Sequence, residues 1–176
     1  MPEEISKDEI LKRIEEDARR FEYEYHGCGQ CTLLALQKNL NIGSDLTFKM
    51  TGPLVVGIGA MGETCGAFLA GVLAMGLIWG REKIEDGPEA TLPALPPTRK
   101  FFRAFQNEFG SLTCREIQKS RLGKSYNLAD SEEYQAFQKE GGYEVASGIV
   151  SKTARMAAEI ILERLEKEKG GQINDK

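Results

Sequence analysis

The sequence predicts an all-α fold, a bundle-like single domain of six to seven helices over residues 1–176. Three observations carry that expectation. Apolar residues recur at three- and four-residue intervals in successive stretches, with charged residues between them. These stretches open on capping residues and close on glycine or asparagine. No stretch alternates apolar and polar residues over the length of a strand.

The first helix is expected from about Lys7 to Tyr25. Ser6-Lys7-Asp8-Glu9 has the form of a capping box. Ile10, Leu11, Ile14, Ala18, Phe21 and Tyr25 form its apolar stripe, and Lys12, Arg13, Glu15, Glu16 and Arg19 its solvated face. His26-Gly27-Cys28-Gly29-Gln30-Cys31 interrupts it. A leucine-rich helix then runs to Leu40, with Asn41-Ile42-Gly43 as its stop. Next comes a glycine-rich stretch, Leu54 to Gly62, whose Gly57, Gly59 and Gly62 match Gly-x-Gly-x-x-Gly with Glu82 some way beyond. That motif binds a dinucleotide only inside a strand–helix–strand unit. With three apolar residues for a strand and no parallel strand downstream, the expected structure is a loop leading into a close-packed helix, and NAD is not expected.

That helix is predicted from about Thr64 to Leu77 or Trp79. Gly62/Gly66, Ala67/Gly71, Ala70/Ala74 and Gly76/Gly80 are small pairs spaced by four, which leave a groove for a neighbouring helix or a homodimer partner. Glu85 to Pro97 is a proline-rich loop. Thr98 to Phe109 forms a helix with Phe101, Phe102, Phe105 and Phe109 as its stripe. Ser111 or Thr113 caps a short helix containing Cys114. Asp130 caps another that ends at Lys139. The last helix is expected from about Tyr143 to Lys167, and residues from about 168 to 176 as a frayed tail.

Hydrophobic residues make up 41% of the chain and charged residues 28%, with a net charge of −4. Lysine and arginine are scattered, so no nucleic-acid surface is predicted. The acidic start, Met-Pro-Glu-Glu-Ile-Ser, lacks the basic and apolar parts of a signal peptide. The longest uncharged run, Thr64 to Gly80, has 17 residues and four glycines, fewer than the roughly 20 that span a bilayer. A cytoplasmic protein that does not cross the membrane is expected. Four cysteines in that setting point to metal, redox or inert thiols and away from structural disulfides.

All four cysteines fall at or just before predicted helix starts, where unpaired N–H groups and the dipole favour thiolates. Cys28 and Cys31 form a Cys-x-x-Cys, a spacing shared by dithiol enzymes and metal sites. Arg115 would further favour a Cys114 thiolate. If the helix starts point inward together, Cys28, Cys31, Cys65 and Cys114 line one site, as redox thiols or as ligands of an iron–sulfur cluster or other metal ion. Structural zinc is not favoured, because only one pair is tight. Covalent haem is not favoured either, because Thr32 and not histidine follows Cys31. His26, the sole histidine, is a candidate ligand or thiol-activating base. Glu63 is read as a helix cap or proton shuttle.

Cys28, Gly62-x-x-Cys65-Gly66-Ala67 leading to Gly71, and Phe109-Gly110-x-x-x-Cys114 together resemble the C_GCAxxG_C_C family of redox-active proteins, named for its cysteine pattern. The resemblance runs from about Gly27 to the final helix. It implies a helical fold, redox activity through the cysteines, a distant relation to the haem-bearing split-Soret cytochromes, and a prokaryotic, often anaerobic setting. It places Gly66 and Ala67 beside the cofactor or reacting thiol. Val145-Ala146-Ser147 stands where the family carries its last cysteine, which leaves Cys31 as the candidate fourth thiol. The predicted function is a cysteine-based redox protein with an unidentified electron donor or acceptor. The alternative is a helical binding module with an apolar ligand pocket or dimer face.

Overall fold

The computed structural model describes residues 5–173, and side chains through Gly170. Among the described residues the chain is all-helical, with eight α-helices and no strand. They are α1 (Lys7–Tyr25), α2 (Cys28–Leu40), α3 (Asp45–Met50), α4 (Gly66–Trp79), α5 (Leu95–Phe109), α6 (Cys114–Leu122), α7 (Ser131–Lys139) and α8 (Gly142–Ile173). The helix beyond the predicted six to seven is α3. Ser44 and Thr47 cap it reciprocally, a local device that lets six residues form a turn without an apolar stripe.

Local chemistry sets the other boundaries. Ser6 accepts a hydrogen bond from Glu9 N–H at the start of α1. Asn41, in the left-handed region, closes α2. Asp130 accepts from Glu132 and Glu133 N–H to start α7. Helix α5 begins three residues before its predicted start. Pro96 and Pro97 sit in its first turn, where a missing N–H costs no hydrogen bond. Helix α8 continues to Ile173, into the stretch expected to fray, and residues 174–176 lie outside the described residues.

The buried side chains form one cluster. Helices α1 and α8 lie side by side along much of their length; α2 packs against both, and α4 against α2 and α8. Ile14, Ala18, Leu33, Leu36, Met75, Phe101, Phe105, Val150, Ala154 and Ile161 are fully or almost fully enclosed. The part of the small-residue face of α4 around Gly71 is used within the chain, while Gly76 and Gly80 are exposed. A Cβ at Gly71 would stand 2.5 Å from the Phe101 ring, so glycine there admits the aromatic face of α5. Phe68 stacks on Phe101 with centroids 5.3 Å apart. Three phenylalanines of the predicted α5 stripe are buried. Phe102 is 39% exposed, one position off the inward face.

The segment between α3 and α4 positions the site. Val56, Gly57, Ile58, Gly59 and Ala60 all have positive φ, between 50° and 69°. The chain winds left-handed here, and no strand precedes the Gly-x-Gly-x-x-Gly, so the strand–helix setting of a dinucleotide loop is not formed. Glu63 N–H donates to Gly57 O at 3.0 Å and Gly62 N–H to Val56 O at 3.0 Å, closing the turn on itself.

No helix among the described residues is long and apolar enough to cross a membrane.

Candidate functional site

Three predicted helix starts do meet. Cys28 is the first residue of α2, Cys65 the N-cap of α4 and Cys114 the first residue of α6. A short pairing draws the last two together. Cys65 N–H donates to Leu112 O at 2.8 Å, Cys114 N–H to Glu63 O at 2.7 Å and Arg115 N–H to Gly62 O at 3.0 Å. Thr64 and Thr113 form an isolated antiparallel bridge at its centre. Arg115 clamps this pairing from outside through an ion pair with Glu63 and a hydrogen bond to Met61 O at 3.0 Å. Glu63 is thus not the cap of α4, whose N-cap is Cys65, and its carboxylate and the Arg115 guanidinium are taken up with each other.

Cys28, Cys65 and Cys114 all line one cavity of about 280 Å³. Its wall is largely apolar, built from Val55, Ile117, Leu128, Phe137, Ile149 and Val150 among others. Close backbone approach makes the convergence possible. A Cβ on Gly66 would stand 2.8 Å from Cys28 Sγ, and a Cβ on Gly57 would stand 2.8 Å from Cys114 Cβ. Gly66 therefore shapes the site by lacking a side chain. Gly66 and Ala67 do not line the cavity, and Ala67 is fully buried in the core.

Cys31 lies behind this wall. It is 4% exposed, and its thiol is directed at His26 O, 3.5 Å away, and at the Glu22 carboxyl. All four cysteines are free. Among the described residues no three histidine, cysteine, aspartate or glutamate side chains form a metal-binding group. Cys31 does not line the cavity that the other three cysteines share.

Helix starts were expected to favour thiolates, and burial reverses that expectation. The Cys28 thiol is raised well above its ordinary value, first by loss of water, then by the neighbouring Cys65 and Glu22. Hydrogen bonds from Val56 and Gly29 N–H offset this only in part. Burial pushes Cys65 up to about 12 against the N–H groups of Ala67 and Phe68. Cys114 is likewise pushed up to about 12 by burial and by Cys28, against the Gln118 amide that donates to its sulfur at 3.7 Å. Cys31 is raised by burial and by Glu22. A half charge from a helix end is outweighed once the sulfur loses its water.

The sequence reading passed over the acid in this site. Glu22 is 4% exposed, lines the cavity, and has one oxygen, Oε2, without a hydrogen-bond partner. Burial raises its carboxyl to about 7, against hydrogen bonds from the Cys31 thiol and Gly27 N–H. Its signal was present in the spacing, because Glu22 follows Ile14 by eight and Ala18 by four. The apolar stripe of α1 thus runs through a carboxylate, while Tyr25, assigned to that stripe, is 71% exposed. His26 closes α1 with its ring stacked on Tyr143, centroids 3.6 Å apart, and its Nδ1 2.9 Å from Glu22 O. Tyr143 in turn meets Tyr134 through their hydroxyls at 2.9 Å. The three rings edge the cavity.

A family model described as "Putative redox-active protein (C_GCAxxG_C_C)" matches residues 8–160. The chain belongs to this family. The matched span takes in all four cysteines, Glu22 and the cavity wall. No curated protein and no solved structure matches the chain.

Proposed function

We propose that this member of the C_GCAxxG_C_C family is a thiol–disulfide redox protein whose reacting thiols are Cys28, Cys65 and Cys114. The observation that carries the reading is their convergence on one cavity from three separate helix starts. Oxidation joins two of the three as a disulfide and releases two electrons and two protons. The three thiols are coupled in every pair, Cys28 with Cys65, Cys65 with Cys114 and Cys114 with Cys28, so that charge on one opposes charge on the others.

The thiolate is the nucleophile in such chemistry, and buried thiols raised to about 12 hold almost none at neutral pH. A proton acceptor must act as the sulfur attacks. Glu22 fits that role: its carboxyl sits at about 7, it already accepts from the Cys31 thiol, and its second oxygen is free on the cavity wall. Cys31 holds Glu22 in place and is not itself a cavity thiol. His26 and Tyr143 shield the same wall from solvent by stacking.

Redox titration of the reduced protein tests this, with thiols counted at each potential. The wild type loses two of its four thiols in one transition, and Cys65→Ser abolishes that transition. Full thiol cycling in Cys65→Ser would contradict the proposal. An iron–sulfur cluster or metal ion on the same thiols is separated by metal analysis of anaerobically purified protein. Stoichiometric metal that disappears in Cys65→Ser would assign ligand roles instead.

A further inference from the structure

The reacting sulfurs sit inside a space and not on a surface. Cys65 is 5% exposed, and the half-buried Cys28 and Cys114 open onto the cavity. Disulfide exchange requires direct attack of one sulfur on another. A disulfide held on a folded surface would have to push its sulfur into a cavity of about 280 Å³, which a small molecule can enter whole. That volume lies at the small end of sites for small molecules, about 300–1,000 Å³.

Charge narrows the choice further. No lysine or arginine lines the cavity. Arg115, beside Cys114, is paired with Glu63, and Lys124, on the loop after α6, is paired with Glu140. An anion would therefore lose its water and meet Glu22, with only the His26 ring, stacked on Tyr143, to set against that carboxyl. A cation would give up its hydration for a single carboxyl whose own charge the same burial suppresses. What remains is an uncharged molecule that gains by leaving water for walls such as Ile117, Leu128, Phe137 and Val150.

We propose that the electron-exchange partner of this site is a small, uncharged, apolar disulfide that enters the cavity, and not a protein, an inference that rests on the dithiol chemistry proposed for the site. One cavity cysteine attacks a sulfur of RS–SR, the S–S bond breaks, and the first RS leaves as RSH with the proton of the attacking thiol. A second cavity cysteine attacks the mixed disulfide, forms the intramolecular S–S bond and expels the second RSH. Two cysteine thiols are oxidised and one external disulfide is reduced to two thiols.

Reagents of different charge test this on the intact reduced protein. Stopped-flow rates are measured with 4,4′-dithiodipyridine, which is uncharged at pH 7, with the dianionic Ellman reagent and with dicationic cystamine, each divided by its rate with N-acetylcysteine. The uncharged reagent should be favoured over both others by about tenfold or more, the effect of roughly 1.4 kcal/mol of unrecovered desolvation. Insulin disulfides should not be reduced. Ala146→Phe, which adds a ring on the cavity wall, should slow the uncharged reagent most and narrow its lead over the other two. Equal normalised rates in the wild type, preference for either charged reagent, or reduction of insulin would overturn the proposal, whether or not Ala146→Phe folds. Diamide, added separately, reads the redox chemistry alone. If it forms the cavity disulfide while the reagents show no preference, only the substrate class fails. If no oxidant forms it, both fail.

Discussion

Glu22 is the residue on which the chemistry proposed for the cavity turns. Its carboxyl is raised from an ordinary value of 4.5 to about 7, so the folded state holds a proton that the unfolded chain gives up in that interval. Stability therefore falls as pH rises from 4.5 to 7, and the full cost, about 3 kcal/mol, is present above that window and absent below it. Glu22→Gln should flatten this part of the pH–stability curve and make the protein more stable than the wild type at pH 8, measured by chemical denaturation. An unchanged slope would mean that the carboxyl is not buried in solution. The same variant should lose thiol reactivity while gaining stability. Disulfide formation in the wild type should accelerate as pH passes through about 7, and Glu22→Gln should be slower by about a hundredfold without that inflection. At this scale the cysteines were legible as a set, because their helix-start positions follow from glycine and capping signals. Their acidity was not, because it depends on how much water the fold removes from each sulfur. Glu22 was hidden for the same reason, a charged residue read as surface although its spacing put it on the buried stripe.

Among the elements, the turn from Val56 to Ala60 is the unusual one. Left-handed backbone costs roughly 1–2 kcal/mol for each residue with a Cβ, and Val56, Ile58 and Ala60 all adopt it. Strain of this kind persists only where surrounding structure enforces it. Here the turn supplies Val55, Val56 and Ala60 to the cavity and brings Gly57 against Cys114. Ile58 is 45% exposed and does not line the cavity, so Ile58→Gly should raise stability by about 1 kcal/mol with thiol chemistry intact. A loss of stability would show that the turn is relaxed in solution. Gly66→Ala should act oppositely, lowering stability by about 2 kcal/mol and displacing the Cys28 sulfur, because its Cβ has no room beside that atom and Leu54 O. The long helices α1, α2, α4 and α8 were readable from periodicity and caps. Helix α3 was not, since six residues held by a Ser44–Thr47 box carry no stripe. The glycine motif announced a special backbone without revealing its hand.

Across the whole molecule, the fold brings to one cavity thiols that lie far apart in sequence. Helices α1 and α8 form the frame, α2 and α4 deliver Cys28 and Cys65, and the Thr64–Thr113 bridge fixes Cys114 beside them. The all-α class was visible in the sequence because each helix writes its own pattern. The meeting of the cysteines was only an expectation there, since nothing local records which helix ends share a wall. That Cys31 stands aside from the other three could be seen only once α1 had placed Glu22 and His26 against it. The convergence is tested most directly by peptide mapping under non-reducing conditions, after the reduced protein has been treated with one equivalent of diamide. Peptides joining two of Cys28, Cys65 and Cys114, with Cys31 still free, are the predicted result. A Cys28–Cys31 bond as the main product, or four thiols left unmodified, would contradict it.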